Sequence, residues 1–415
     1  VAACHLVAGL HAALHGEVDL HHLQHARGEV VARGDLRLLL GEALVEPAAH
    51  LDVHALVGGD GERVKSALER NPPSLQGGGL LQVLASEVSA ALQSKVAGAP
   101  PGEPVKVDLK VEDVDFGTVV RMPDGTLDTR GLRGIDPDLI VKPFGWKGTH
   151  STLRRFAEEA FQVHHGMESG VLSHYRRHFS TAPFFASDAT RAIMAAFAGG
   201  DPHDLDGDGS RSELTEAMLT SIAVYLTLLP IPTQEPPRAP DLLAAFRQGQ
   251  AAFDRVGCSG CHKPVWTVQN PVWTERGEAQ SGGFRIDMDL RKDIRNGPSL
   301  INRDTEHVGF PVLLYSDLRR HDMGKELSDP APALGSPGPG IPPSHFLTRP
   351  LWGLADSAPY LHDGRAQTIS QAIVMHGGEA EESRRKYQAL PVETQRAIQV
   401  FLLSLTRPTL PEVSQ

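Results

Sequence analysis

One pentapeptide constrains this chain more than anything else in it: Cys258-Ser259-Gly260-Cys261-His262. Two thiols three positions apart, with histidine next, are what covalent haem attachment requires. The thiols add to the two vinyl groups of one porphyrin edge, and the adjacent imidazole turns under the ring as the proximal iron ligand. The approach suits that use. Leu242-Leu243-Ala244-Ala245-Phe246 through Gly249, Phe253 and Gly257 predicts an amphipathic helix that packs its Gly and Phe face on the porphyrin edge. A zinc site would need two further ligands of the right type, and the only other cysteine is Cys4, near the far end of the chain. A thioredoxin-like pair should follow a strand in a βαβ pattern, which is absent.

At 415 residues the chain can hold two or three domains. Its net charge of −11 argues against nucleic acid and suits a basic redox partner. Three cysteines, two of them in the haem motif, exclude a disulfide framework. No membrane span is expected, because the longest apolar stretch, Ser221 to Pro232, is far too short. Covalent haem is normally attached outside the bacterial cytoplasm, so the expected location is the periplasm, although the chain begins Val-Ala-Ala-Cys with no basic leader region.

Residues 1–64 are abnormal. They lack Ser, Thr, Asn, Lys, Ile, Met, Phe, Tyr and Trp, yet hold eight of the twenty histidines. Three readings stand: coding DNA read in the wrong frame, an Ala/Leu-rich helical extension, or a metal-binding cluster of His11, His15, His21, His22 and His25. Cys4-His5 is the second half of a haem motif whose first cysteine position holds Val1.

From Arg70 the texture is that of a folded protein. Helical patterns are expected at Ser74–Leu92, Ser151–Phe161, Arg191–Ala198 and Leu214–Leu229, and Val105 to Val120 alternates as a β-hairpin. Asp204-Leu205-Asp206-Gly207-Asp208-Gly209 imitates the start of a calcium loop, but its twelfth position is Thr215 where a bidentate Glu belongs. A solvated acidic turn competes with bound calcium there. Pro230 to Pro240 reads as a semi-rigid linker. Beyond it lie few strand signals, long Pro/Gly loops and helices at the two ends.

A short repeat sets the expected architecture. Lys142-Pro143-Phe144-Gly145-Trp146-Lys147-Gly148, followed by Ser151-Thr152-Leu153 and a helix, matches Ala358-Pro359-Tyr360-Leu361-His362-Asp363-Gly364, followed by Gln367-Thr368-Ile369 and a helix. Equal offsets of this kind imply two homologous domains, each with a turn feeding a Thr-capped helix.

These segments also carry a family resemblance. Arg70-Asn71-Pro72-Pro73-Ser74-Leu75, Gly78-Gly79-Leu80 and the Lys142–Gly148 segment resemble the di-haem oxidoreductase (thiol oxidoreductase-like) family, relatives of the bacterial di-haem cytochrome c peroxidases. So do Asp317-Leu318-Arg319-Arg320-His321-Asp322-Met323-Gly324, Arg349-Pro350-Leu351-Trp352-Gly353-Leu354, Tyr360–Ala366 and His376-Gly377-Gly378-Glu379-Ala380. The resemblance covers about residues 68–408 and implies one haem per domain. The first haem motif should lie upstream of Arg70, where this chain has only its abnormal stretch.

The resemblance implies roles. The sixth iron ligand of the relatives falls fourteen residues after the histidine of Tyr-x-His-Asp-Gly, which from His362 reaches His376. Met323 is the rival, and Met375 stands beside His376. A bis-histidine iron would have a low potential; a thioether would raise it. Trp146 sits where the relatives carry an electron-relaying tryptophan between haems, or is a buried anchor. Glu168 roughly matches their peroxide-cleaving acid, and His164 and His165 could reach an N-terminal haem. Arg349 and Arg365 suit haem propionates, with plain surface arginines as the alternative.

The sequence therefore predicts a mostly α protein of two cytochrome c-like domains with a small β-hairpin excursion. The expected boundaries are an atypical 1–64, a first domain at 65–232 lacking a complete motif, a linker at 233–240, a haem c domain at 241–408 and a tail at 409–415. The expected function is electron transfer through haem c in a periplasmic di-haem oxidoreductase of peroxidase type. Electrons would come from a small redox protein or a quinol-derived donor. The alternative is a non-enzymatic mono-haem carrier.

Overall fold

The computed structural model describes residues 70–165, 167, 169, 213–276, 283–291, 309–329 and 341–407. The expectations for residues 1–64, for the helix at Arg191–Ala198, for the acids of the calcium-like loop and for Glu168 lie outside those residues.

The described chain runs α1 (Gly78–Ala97), β1 (Val105–Val111), β2 (Val114–Arg121), β3 (Leu127–Asp128), α2 (Leu153–His165), α3 (Glu216–Thr227), β4 (Thr233–Gln234) and α4 (Pro240–Arg255). The haem-type motif opens a short 3-10 turn, Cys258–Gly260. After it come β5 (Val265–Val268), β6 (Val272–Arg276), β7 (Arg285–Asp289), β8 (Phe310–Leu313), β9 (Arg320–Asp322) and β10 (His345–Leu347). The order closes with α5 (Ile369–Val374), α6 (Glu381–Gln388), α7 (Val392–Leu402) and β11 (Leu405–Thr406). Seven α-helices thus share the described residues with one three-stranded and four two-stranded antiparallel sheets.

Two apolar clusters organise Asn71–Leu410, which form one compact unit. In the first, α1 buries Leu80, Leu81, Leu84, Val88 and Leu92 against Phe116 of the β1–β2 hairpin and Leu153 of α2. Trp266 of β5 and Trp273 of β6 are fully buried in the same cluster. Sequence beyond 233–240 therefore fills the core begun by the first half. These strands were not anticipated. Their alternation, Val265-Trp266-Thr267-Val268 and Val272-Trp273-Thr274-Glu275, is short, and only the register against β8 and β7 makes it a sheet.

In the second cluster, α4 and α7 cross with Phe246 and Phe253 against Phe401, ring centroids 5.8 and 5.3 Å apart. The crossing is close because Gly249 has no side chain: a Cβ there would fall inside the backbone carbonyl of Ala397. Strand β4 pairs with β11, so the segment entering α4 is tied to the end of the described chain.

The repeat survives as backbone geometry. Phe144 bridges His150, and Tyr360 bridges Ala366 at the same offset. Gly145 and Leu361 both take positive φ (78° and 73°), as do Gly148 and Gly364 (60° and 72°). Thr152 and Thr368 each accept a hydrogen bond from the N–H three residues on, at 3.3 and 3.2 Å. Helix α1 starts at Gly78, later than the Ser74 expected, because Gly77 is left-handed and the Pro72-Pro73 run stays extended.

Candidate haem site

The motif is held from behind by a single loop. Helix α4 ends at Arg255, Gly257 turns with φ 94°, and His262 N–H returns to the Cys258 carbonyl at 2.9 Å. Residues 314–317 then clasp the motif. Leu314 N–H donates to Pro264, Ser316 N–H to Lys263 and Asp317 N–H to Cys261, at 2.9, 3.0 and 2.8 Å. Tyr315 is left-handed (φ 55°), as is Leu318 (φ 62°), a conformation that costs a non-glycine residue free energy and gathers at functional loops. The turn aims the Tyr315 carbonyl at the His262 ring, whose Nδ1–H donates to it at 3.0 Å.

That bond fixes the tautomer. With Nδ1 carrying the proton, Nε2 is the lone-pair nitrogen, the atom open to a metal. Phe253 lies 6.3 Å from the same ring. The imidazole keeps some accessible surface, yet the density of protein around it lowers its pKa to about 4, with His376 and His321 adding to the effect. It is neutral, the form that ligates a metal. The Cys258 thiol, pushed up to about 12 by burial and by Cys261, stays protonated and packs against the second cluster.

His376 presents a matching imidazole. It follows α5, whose N-terminus carries a full capping box between Thr368 and Gln371, and its Nδ1–H donates to the Ala372 carbonyl at 2.7 Å. Burial lowers its pKa as well, and its ring lies within electrostatic reach of His262. Two neutral imidazoles thus stand close together, each with Nδ1 committed to backbone and Nε2 left for a ligand. Met375 packs in the same apolar cluster as Cys258. Met323 is half-buried, and its backbone N–H bonds to Ser344 at 2.9 Å.

His321 stands beside the motif. Its Nδ1 is 3.9 Å from Cys261 Sγ, while Asp317 and Glu379 take its two nitrogens at 2.7 and 2.8 Å. Burial alone would lower its pKa, but the bonds to Asp317 and the nearby Cys261 hold it at about 11. The sequence reading quoted this histidine within a motif and gave it no role. The signal was its spacing four residues after Asp317.

The arginines differ. Arg349 donates to the carbonyls of Pro143 (3.1 Å) and Ser74 (3.4 Å) and lies 5.8 Å over the Trp146 ring. Desolvation lowers its pKa to about 10, and none of these partners is a carboxylate. The Arg365 fork is already engaged by Asp363, with Nη1 on the Glu326 carbonyl at 2.7 Å. Trp146 donates Nε1–H to the Asn71 carbonyl at 2.6 Å and meets the His362 ring edge-on. His362 is stacked on Phe346 at 4.4 Å and lies 3.5 Å from Asp329, which also pairs with buried Lys147 at 3.0 Å. Sequence reading did not find Lys147 or Asp329 as partners, because 182 positions of chain separate them and nothing local signals the pair. Thr215, twelfth in the calcium-like stretch, caps α3 by accepting from Met218 N–H at 3.2 Å. His165 packs 5.8 Å from Phe161.

The donor set fits a haem: two half-buried thiols on one turn, a neutral imidazole anchored through Nδ1 next to them, a second such imidazole within electrostatic reach, and an apolar surround. Residues 298–405 match the family model described as "Di-haem oxidoreductase, putative peroxidase". Over that stretch the chain is similar to the di-haem oxidoreductase family. The segment contains the Asp317–Gly324, Arg349–Leu354, Tyr360–Ala366 and His376–Ala380 stretches that carried the resemblance, while Cys258–His262 lies upstream of it. No curated protein matches the chain. Among solved structures it is similar to a MauG-like protein associated with microbial copper homeostasis, at 15% identity and TM-score 0.32, covering 86% of this chain and 99% of that one. It is also similar to Kuenenia stuttgartiensis hydrazine synthase, at 22% identity and TM-score 0.25, over 45% of this chain and 55% of that one. This chain therefore spans about half the length of the hydrazine synthase chain it matches.

Proposed function

We propose that this chain binds haem c at Cys258, Cys261 and His262 and serves a peroxidase-type di-haem oxidoreductase in the periplasm. The observation that carries the reading is the bond from His262 Nδ1–H to the Tyr315 carbonyl, made next to two free thiols. The bond leaves Nε2 unprotonated next to the thiols, the arrangement that a proximal ligand uses.

When bound, haem supplies one-electron redox chemistry at its iron. The chain's own residues do the rest. Cys258 and Cys261 would hold the haem by thioether bonds, and the second apolar cluster, against which Cys258 packs, would limit water at that turn. The Tyr315 carbonyl increases the donor strength of His262. Arg349, with no carboxylate partner among the described residues, is the propionate-facing cation; Arg365 is held by Asp363 and is less free to act so. Trp146 joins the two repeated turns through Asn71 and His362, where it can pass electrons between the halves. Electron donation by a small redox protein or a quinol-derived donor suits the acidic net charge of −11.

The second reading, a non-enzymatic carrier, is favoured by His376, whose Nδ1–H is bound to the Ala372 carbonyl so that Nε2 could serve as a sixth ligand. Addition of hydrogen peroxide to the reduced, haem-loaded protein separates the two. Rapid reoxidation with peroxide consumed at two electrons per molecule supports the oxidoreductase. A low-spin spectrum that peroxide leaves unchanged supports the carrier and sinks the enzymatic reading.

A further inference from the structure

His321 joins two loops, residues 315–322 and 376–380. Its nitrogens lie 2.7 Å from Asp317 Oδ2 and 2.8 Å from Glu379 Oε2. Ionised carboxylates only accept, so the ring donates from both nitrogens and is a cation by geometry. Asp317 belongs to the clasp behind the haem-type motif: its N–H binds the Cys261 carbonyl, two residues beyond the carbonyl that orients His262. Glu379 follows His376 by three residues, and its second oxygen accepts from Asp322 N–H at 3.0 Å.

The backbone reinforces this link. Residues 322–324 lie directly against 377–378: Gly324 (φ 78°) and Gly378 (φ 53°) both occupy the left-handed region. A Cβ on Gly378 would strike the Asp322 carbonyl, and one on Gly324 would come 2.8 Å from Gly378 N. The seam holds both sixth-ligand candidates, Met323 and His376, on adjoining strands of chain.

We infer that the Asp317–His321–Glu379 triad is a clamp that sets the spacing between the His262 loop and the His376 loop, with His321 as its positioning residue. The inference rests on the haem reading of His262 and His376. Its consequence is that the sixth position on iron is closed by the clamp acting through the 376–380 loop, and not by α5 alone. Half of the Glu379 side chain is exposed, so its removal leaves the core intact.

The test uses full-length Glu379→Ala, Glu379→Gln and His321→Leu. Amide hydrogen exchange of the haem-free chain is read at residues 315–322 and 376–380. Cyanide titration is read on the haem-loaded protein. Glu379→Ala should speed exchange in both segments together and raise cyanide affinity by about tenfold or more, the usual scale for removing a partner of a metal-ligand loop. Glu379→Gln, which keeps only one of the two acceptor oxygens, should fall between wild type and Glu379→Ala. Wild-type exchange in Glu379→Ala and His321→Leu would overturn the clamp. Faster exchange with unchanged cyanide affinity would overturn its action on iron. Failure of any variant and of the wild type to take up haem would instead sink the haem reading, while the exchange experiment still decides the clamp.

Discussion

The indole of Trp146 meets the imidazole of His362 edge-on, with ring centroids 6.4 Å apart and planes at 72°. The two residues occupy the same position in the two copies of the repeat. The turns therefore face one another, and Asn71 ties them: its backbone N–H and side chain bind the carbonyls of His362 and Pro359, at 2.7 and 2.6 Å, while its own carbonyl takes Trp146 Nε1–H. Trp146→Ala should cost about 3 kcal/mol in urea unfolding, through lost packing. Trp146→Phe should cost about 1 kcal/mol, the loss of one hydrogen bond with the ring largely retained. Equal losses in the two variants would contradict this arrangement.

Lys147 and Asp329 are both buried and pair at 3.0 Å, with the ammonium 3.6 Å from the Phe346 ring centroid. Removing Lys147 takes away a cation 3.0 Å from a buried carboxylate. Lys147→Ala should destabilise by about 3–5 kcal/mol. The double variant Lys147→Met/Asp329→Leu should recover a large part of that loss, measured by thermal unfolding of the set.

Gly249→Ala places a methyl against the Ala397 carbonyl at the α4–α7 crossing. The helices must separate, and overpacking of this kind costs about 1–3 kcal/mol. Because α4 leads into the haem-type turn, the same variant should lower covalent haem yield, which reduced-minus-oxidised spectra report per milligram of protein.

Asp136 binds Lys142 at 2.6 Å and also pairs with Arg320. Burial raises its pKa, but the two cations outweigh that and hold it below the usual carboxylate value. A depressed folded-state pKa stabilises above the unfolded value near 3.8 and loses that contribution as pH falls through the folded value. Stability should therefore decline with acidification below about pH 4. Asp136→Asn should flatten that limb and lower stability at pH 7 by about 2 kcal/mol, followed by urea unfolding at stepped pH.

Much of this was legible in the sequence, for reasons that differ by element. The β1–β2 hairpin could be read because Val105 to Val120 alternates over a full strand pair, and α4 because its apolar spacing is helical. The Cys258–His262 turn stood out because its spacing is that of covalent haem attachment, and the structure sets both cysteines and His262 on one turn. The β5–β8 and β6–β7 pairs could not, since four or five residues of alternation mean little until a distant partner supplies the register. Nor could the Tyr315 carbonyl, because a backbone group aimed by a left-handed φ leaves no residue-type signal. His321 was visible only as part of a motif; that it is shared between Asp317 and Glu379 is a fact of three-dimensional packing.

The most direct test of the account is the mass and pyridine haemochrome spectrum of the full chain produced alongside haem-maturation machinery. The account predicts haem added covalently to the peptide containing Cys258 and Cys261, and none in Cys258→Ala/Cys261→Ala. A protein of unmodified mass with no haemochrome band would contradict it.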